Sequence, residues 1–368
     1  MWVFINLLLA LAALGQTPQG AQALEAKGDW TAAETVWTTL VHQHPDDYRY
    51  WTSLGACRAH QNKFTQAIAA YKKALSLNRN AAETQFNLGI AYFKSGNLEK
   101  AIGPLQTAAP HLPGNRQIDV VLGMALYGLG RYKDAAPYLE AAQANDPQNK
   151  ELQFVLAQAY LWGGEYDKAK RQFQAMLLSD PNSAQAHMLL GEAYDGLGKT
   201  GEAIAEFREA TQGPAIPGAH FGLGYLLWKN HDYAAAIPEF QKEVSSDPDN
   251  YQCFGYRGDA ELKLGQTEAA ERDLKKSIAI APKLWLAEFD LGKIEQDKQQ
   301  YAAAAQHFKQ AAQEDSERAE PHYHLAQVYK AMGQEEEARA QLAIVSRLNQ
   351  HKTDDLVLKI SGTNRPGR

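Results

Sequence analysis

The fold of this chain is decided by residues 80–115, which read NAAETQFNLGIAYFKSGNLEKAIGPLQTAAPHLPGN. Leu88 and Tyr92 lie one helical turn apart, as do Ala101 and Leu105, so each pair marks one face of a helix. Turn residues separate the two helical patterns, and a proline, which has no backbone N–H, ends the second one. The stretch therefore predicts a helix hairpin that is too small to bury its own apolar face and needs neighbours.

The regular spacing of small residues shows that similar hairpins precede and follow this one along the chain. One small residue of the first helix recurs every 34 residues, apart from one step of 33 residues, at Gly55, Gly89, Gly123, Ala157, Gly191, Gly224, Gly258, Gly292 and Ala326. The second helix has alanine at all ten of its equivalent positions, which are Ala33, Ala67, Ala101, Ala135, Ala169, Ala203, Ala236, Ala270, Ala304 and Ala338. A large apolar side chain follows each alanine four residues later. The sequence therefore predicts a stack of about ten hairpins, each in contact with its neighbours only.

In these features the chain resembles the tetratricopeptide repeat family, whose pattern runs W-x2-L-G-x2-Y, then A-x3-F, then P. Residues 51–55, WTSLG, match the opening of that pattern. The resemblance covers roughly residues 17–350. It implies an all-α, right-handed superhelical solenoid of about ten helix-turn-helix repeats, and a binding scaffold as the general function.

The N-terminus carries an apolar run without charge, residues 2–14, WVFINLLLALAAL. This run is too short to span a bilayer comfortably and has the length of the apolar region of a signal peptide. We expect a signal peptide over residues 1–15, a mature chain that begins at Gln16, and a periplasmic or secreted protein without an integral membrane span. Because the first basic residue is Lys27, an uncleaved membrane anchor and a buried starting helix remain alternatives.

The solenoid is predicted over residues 16–350. The only Gly/Pro-rich junction, TQGPAIPG at 211–218, coincides with the shortened step and predicts an irregularity, with an ordinary tight turn as the alternative. Residues 351–368 are expected to form a short capping segment and a disordered tail.

Little in the sequence indicates catalysis. The segment 193–200, AYDGLGKT, fits a relaxed phosphate-loop pattern, but a predicted helix precedes it where that site needs a strand. Two histidine pairs, at 42 and 44 and at 322 and 324, have spacings that place their members on different helix faces. The net charge of −6 favours no nucleic acid partner. We therefore predict neither an enzyme nor a cofactor, metal or catalytic site.

The resemblance implies that the first helices line a concave groove. The predicted groove residues are Phe86, Asn87, Ile90, Phe93, Val120, Met124, Tyr127, Phe154, Gln158, Trp162, Met188, Glu192, Phe221, Tyr225, Trp228 and Tyr256. Some of these side chains could instead pack into adjacent repeats. The groove predicts a scaffold that binds an apolar protein or peptide segment, and together with the apolar N-terminal run we expect an exported scaffold. The alternatives are an accessory subunit or carrier for a small ligand, and an enzyme with an unrecognised site.

Overall fold

The computed structural model describes residues 17–361 and the side chains of residues 17–350. The described residues form twenty α-helices, one short 3₁₀ turn and no β-strand. The predicted all-α repeat fold is therefore confirmed. The predicted signal peptide and residues 362–368 of the predicted tail lie outside the described residues.

The chain divides into two compact units with a boundary between Ala175 and Met176. The first unit contains α1 (Pro18–Ala26), α2 (Trp30–Gln43), α3 (Tyr48–His60), α4 (Phe64–Leu77), α5 (Ala82–Lys94), α6 (Leu98–Ala108), the 3₁₀ turn Ala109–His111, α7 (Arg116–Gly128), α8 (Tyr132–Asn145) and α9 (Lys150–Trp162). The boundary falls inside α10 (Tyr166–Ser179). The second unit continues with α11 (Ala184–Gly196), α12 (Thr200–Gln212), α13 (Ala219–Lys229), α14 (Tyr233–Ser246), α15 (Tyr251–Lys263), α16 (Thr267–Ile280), α17 (Trp285–Asp297), α18 (Tyr301–Glu314), α19 (Ala319–Ala331) and α20 (Glu335–Ser361).

Each hairpin is held together at the predicted small residues. A Cβ atom added at Gly89 would lie 2.4 Å from Leu105 Cγ and would force the Leu105 side chain to move, so glycine permits the close approach of α5 to α6 seen here. The alanines of the second helices are buried throughout the described repeats, and so are large partners such as Phe173 and Phe240. Leu342 in the last hairpin is the exception at 47 % exposure. The repeat register predicted from the sequence therefore defines the core of both units.

The junction between α12 and α13 departs from the repeat. Its last residue, Gly218, has a φ of 84°, and α13 is 11 residues long, whereas the other first helices of this unit have 13. Gly218 has no side chain that could cap the helix. The buried carboxylate of Glu243, on α14, accepts hydrogen bonds from the backbone N–H groups of Gly218 at 2.9 Å and Phe221 at 3.1 Å. A side chain from the second helix thus satisfies the donors that begin α13.

The C-terminal helix α20 is 27 residues long and continues beyond the last hairpin. Residues 351–361, the described part of the segment expected to form a cap and a tail, belong to this continuation. None of the helices within residues 17–361 has the length and apolar character needed to cross a membrane.

Candidate functional site

The predicted groove residues all lie on the first helices of their hairpins, and we describe them separately in the two units. In the first unit they define a first-unit face on α5, α7 and α9. Its side chains are half-buried except for Trp162, which is 43 % exposed. The twelve residues expected to carry binding comprise Phe86, Asn87, Ile90, Phe93, Met124, Tyr127, Phe154 and Trp162 in this unit, and Phe221, Tyr225, Trp228 and Tyr256 in the second.

Three aromatic rings meet at one end of the first-unit face. The Tyr127 ring lies 5.6 Å from that of Tyr132 and 5.9 Å from that of Trp162, and Tyr132 and Trp162 are 5.3 Å apart. The Tyr127 hydroxyl donates a hydrogen bond of 2.7 Å to Gln158 Oε1, which fixes the ring against α9. Because the Tyr127 hydroxyl already has its hydrogen-bond partner and Trp162 is exposed, this cluster presents apolar ring surface to solvent.

A cleft of about 580 Å³ lies between α7, α8 and α9. Its apolar side chains include Val120 and Met124 from α7 and Leu152 and Val155 from α9. Charged and amide groups surround them, namely Arg116, Gln117, Asn145, Asp146, Asn149 and Glu151. The cleft therefore combines an apolar floor with groups that can hydrogen-bond to a bound chain or small molecule.

In the second unit, Phe221, Tyr225, Trp228 and Tyr256 form the second-unit cluster. The ring of Tyr256 lies 5.2 Å from Tyr225, 4.9 Å from Trp228 and 6.2 Å from Phe221. Tyr225 also stacks on Trp228 at 5.8 Å. Burial raises the pKa of Tyr256 to about 12, so its hydroxyl is neutral at physiological pH. The structure brings these four predicted residues into direct contact.

Two buried carboxyl groups lie beneath this cluster. Trp228 Nε1 donates a hydrogen bond of 2.6 Å to Asp259 Oδ2, and the Asp259 carboxyl group lies beside that of Asp290. Neither aspartate was among the predicted site residues. The sequence held no distinctive signal for Asp259, since its repeat position carries Ile90 and Met124 but also Gln158, Glu192 and Lys293. A charged residue at such a mixed position is most often solvated, and only the packing of the helices buries this one.

Glu192, predicted as a groove residue, lies on α11 and is half-buried. Burial raises the pKa of its carboxyl group. Met188 lies on the same helix and packs against the core of the second unit, so this residue contributes to stability as well as to the surface.

The other segments with possible chemistry have structural partners. Residues 193–200 form the end of α11 and a hairpin turn in which Gly198 has a φ of 72°, so no strand precedes them. His322 Nδ1 lies 2.6 Å from Gln341 Oε1, and His324 Nδ1 lies 3.1 Å from Gln296 Oε1. Within the described chain, no three His, Cys, Asp or Glu side chains are grouped as a metal site requires.

Comparison with known proteins agrees with this architecture. Family models described as tetratricopeptide repeat match residues 126–193 and 296–355, 221–284, and 184–212, and a model described as TPR repeat matches residues 58–96. The chain belongs to the tetratricopeptide repeat family.

Among curated proteins, the chain is similar to the peroxisomal targeting signal receptors of Kluyveromyces lactis and Saccharomyces cerevisiae. The identities are 34 % over 70 residues and 29 % over 79 residues, or 19 % and 22 % of this chain. These matches span 12 % and 13 % of the two receptors. Both similarities are therefore local.

Among solved structures, the Naa15/Naa10 complex bound to HypK-THB matches with a TM-score of 0.50 and 13 % identity, over 90 % of this chain and 63 % of that chain. YrrB, described as a TPR protein with an unusual peptide-binding site, matches with a TM-score of 0.42 and 24 % identity, over 48 % of this chain and 91 % of its own. The first of these similarities establishes the repeat fold and leaves function to be argued from the surfaces.

Proposed function

We propose that this protein is an exported scaffold that binds apolar segments of another protein through its first helices. The observation that carries the proposal is the aromatic surface just described. Large apolar side chains occupy these first-helix positions. Phe221, Trp228 and Tyr256 also pack against the hairpin cores, yet they and the first-unit residues remain partly accessible. Such residues at a surface are typical of partner sites, because rigid rings bury much area at small entropic cost.

The chemistry of the first-unit face favours an uncharged, apolar segment as the partner. The predicted residues of this face carry no charge, while the neighbouring cleft offers amide and charged groups at its rim. An extended or helical peptide could place apolar side chains on the face and direct its polar groups to that rim. The family likewise indicates protein or peptide partners.

Selection from a random peptide library displayed on phage tests the proposed binding. The full mature chain should enrich apolar peptides, and Trp162→Ala or Tyr225→Ala should weaken their binding by about tenfold or more, as central aromatic contacts do. Leu178→Ala is the matched control, because Leu178 is 87 % exposed and lies on a second helix. Binding equal to wild type in both aromatic variants would contradict the proposal.

Export is proposed from the apolar run at residues 2–14 and the small residues that follow it. N-terminal sequencing of the protein from its native cells should find a chain that begins at or near Gln16. Intact Met1 on a cytosolic protein would refute export and leave the binding proposal untouched. Intact Met1 on a membrane fraction would select the anchored form.

A second candidate function, carriage of a small ligand, is favoured by the cleft between α7, α8 and α9. Its volume of about 580 Å³ is within the range typical of small-molecule sites. Screening metabolites by thermal shift should reveal a stabilising compound whose effect is reduced by Met124→Ala. The peptide-binding proposal predicts instead that no such compound competes with the selected peptides.

A further inference from the structure

The second unit contains a pair of carboxyl groups that its packing leaves unusually short of partners. Asp259 on α15 has a side chain 3 % exposed, and Asp290 on α17 has one 1 % exposed. Asp290 Oδ1 lies 3.1 Å from Lys293 Nζ, but its Oδ2 is buried and has no donor among the described N–H and hydroxyl groups. A buried carboxylate oxygen without a donor is costly, so a further hydrogen is needed at this position.

The neighbouring carboxyl group can supply that hydrogen bond only if one of the two carries a proton. Asp259 already accepts from Trp228 Nε1, and Lys263 Nζ is 3.8 Å from its other oxygen. When both groups are ionised, the neighbouring oxygens of Asp259 and Asp290 are acceptors only and cannot bond to each other. Burial, together with the charge of Asp259, raises the pKa of Asp290 well above its usual range.

The groups facing the pair come from several helices. They are Trp228 on α13, Tyr233 on α14, Tyr256 and Lys263 on α15, Lys293 on α17 and, facing Lys293, His324 on α19. Among the described side chains, Lys263 and Lys293 form ion pairs with the two carboxyl groups. Lys263 is 43 % exposed, so water screens its charge and it compensates the pair only weakly.

We propose that Asp259 and Asp290 share one proton and that this proton holds the second-unit cluster in place, which makes this face responsive to pH. When the proton leaves, two buried carboxylates repel each other at the point where α15 meets α17. Trp228 donates a hydrogen bond to Asp259, stacks on Tyr225 and meets the ring of Tyr256 edge to face, so the repulsion reaches the aromatic rings directly. That the pH response changes partner binding rests on the proposed function, whereas the sharing of the proton is independent of it.

The indole N–H signal of Trp228 in the NMR spectrum of the full chain tests the proposal, with Trp228→Phe identifying that signal. In the wild-type protein the signal should move as the pH rises from about 5 to about 9, a range well above the ordinary pKa of aspartate. Asp290→Asn keeps a hydrogen-bond donor permanently next to Asp259 and should make the signal independent of pH. Asp297→Asn is the control, because Asp297 is an exposed carboxylate on the same helix. In this variant the Trp228 signal should titrate as it does in the wild type.

An unchanged titration in Asp290→Asn would overturn the proposal and would point to His324 as the titrating group. A pH-independent signal in the wild-type protein would overturn it as well. Should Asp290→Asn not fold, wild-type protein labelled with 13C in its aspartate carboxyl groups still decides. At least one aspartate must then titrate above about pH 6, and none will do so if both carboxyl groups ionise normally. These measurements use no partner, so failure of the proposed function leaves them interpretable.

Discussion

The hairpins of the two units have the same pattern of core residues, but the two units differ in the charged side chains of their first helices and in the pKa values of their carboxyl groups. At the first-helix position after the small residue, the first unit has uncharged residues such as Ile90, Met124 and Gln158. The second unit has Tyr225 there but also the charged residues Glu192, Asp259 and Lys293. The pKa of Glu140 in the first unit is lowered by hydrogen bonds from Tyr160 and Lys168. Burial raises the pKa values of four carboxyl groups in the second unit, Glu192, Glu261, Asp290 and Glu314, and of Asp119 in the first. Hydrogen bonds from Lys275 and Lys298 lower the pKa of Glu271 in the second unit, so the two units differ in degree.

The two units also differ in the polar pairs that join the two helices of a hairpin. A histidine and a carboxylate 19 residues apart meet across the hairpin in three of them, with Nδ1 to oxygen distances of 2.6–2.7 Å, namely His187 with Glu206, His220 with Glu239 and His307 with Glu288. The corresponding positions of the first unit include Asp119 with Tyr138 and Gln153 with Gln172. The comparison teaches that the repeat fixes the small and large apolar positions, while the positions between them are free to carry different chemistry.

The largest expected effect tests what the units share. Phe173→Ala in the first unit and Phe240→Ala in the second each remove a fully buried ring and should each lower the free energy of unfolding by about 3–5 kcal/mol. Urea denaturation of each variant measures this loss. Leu342→Ala is the control at the same repeat position, where 47 % exposure should reduce the loss to a small fraction. A large difference between the two phenylalanine variants would mean that the cores are not equivalent.

The alanine row gives the next effect. Ala203 is fully buried where α12 meets α11, so Ala203→Leu should overpack the hairpin and cost about 1–3 kcal/mol. Thermal and urea unfolding would measure it. Ala205→Leu is the control, because Ala205 is exposed on the same helix. Equal stability of the two variants would show that the repeat register in this hairpin is wrong.

One helix of the second unit, α13, begins without a capping side chain of its own. Glu243→Ala should cost about 1–3 kcal/mol, because it leaves the N–H groups of Gly218 and Phe221 without their acceptor. Asn149→Ala removes an ordinary cap, a bond from Leu152 N–H at 3.0 Å, and should cost about 1 kcal/mol. Denaturation of both variants compares the losses. A smaller loss for Glu243→Ala would indicate that water replaces the carboxylate at α13.

The smallest effects are expected from pH. Since burial raises the pKa of Glu261 to about 7, the folded state keeps a proton that the unfolded state loses near pH 4, and stability falls as the pH rises between these values. His187 also has a raised pKa, although burial acts against it, because Glu206 and the Pro181 carbonyl favour its charged form. Its contribution is complete below the unfolded pKa and is lost as the pH rises through the folded one.

The first unit should respond in the opposite direction. The lowered pKa of Glu140 contributes stability above its unfolded pKa, and this contribution is lost as the pH falls through the folded value. Amide hydrogen exchange at several pH values, corrected for intrinsic rates, would report the two units separately. If the stability of both units changed with pH in the same direction, the expected electrostatic difference between them would be contradicted.

The sequence by itself determined the repeat. Gly89 and Leu105 predict a close helix crossing. The structure places them in contact, and the absence of a Cβ atom at Gly89 leaves the space that the Leu105 side chain fills. The aromatic residues of the second-unit cluster could also be predicted, since the 34-residue register assigns them to first helices. Such local periodicity follows from backbone geometry and needs no knowledge of distant contacts.

Only the tertiary structure decided the polar interior of the second unit. Asp259 and Asp290 are 31 residues apart, in successive first helices, and their contact depends on how two hairpins pack. The capping of α13 by Glu243 likewise depends on a side chain more than 20 residues away in the chain. A sequence pattern reports which face a residue occupies, whereas desolvation and the pairing of charges arise only when separate helices exclude water between them.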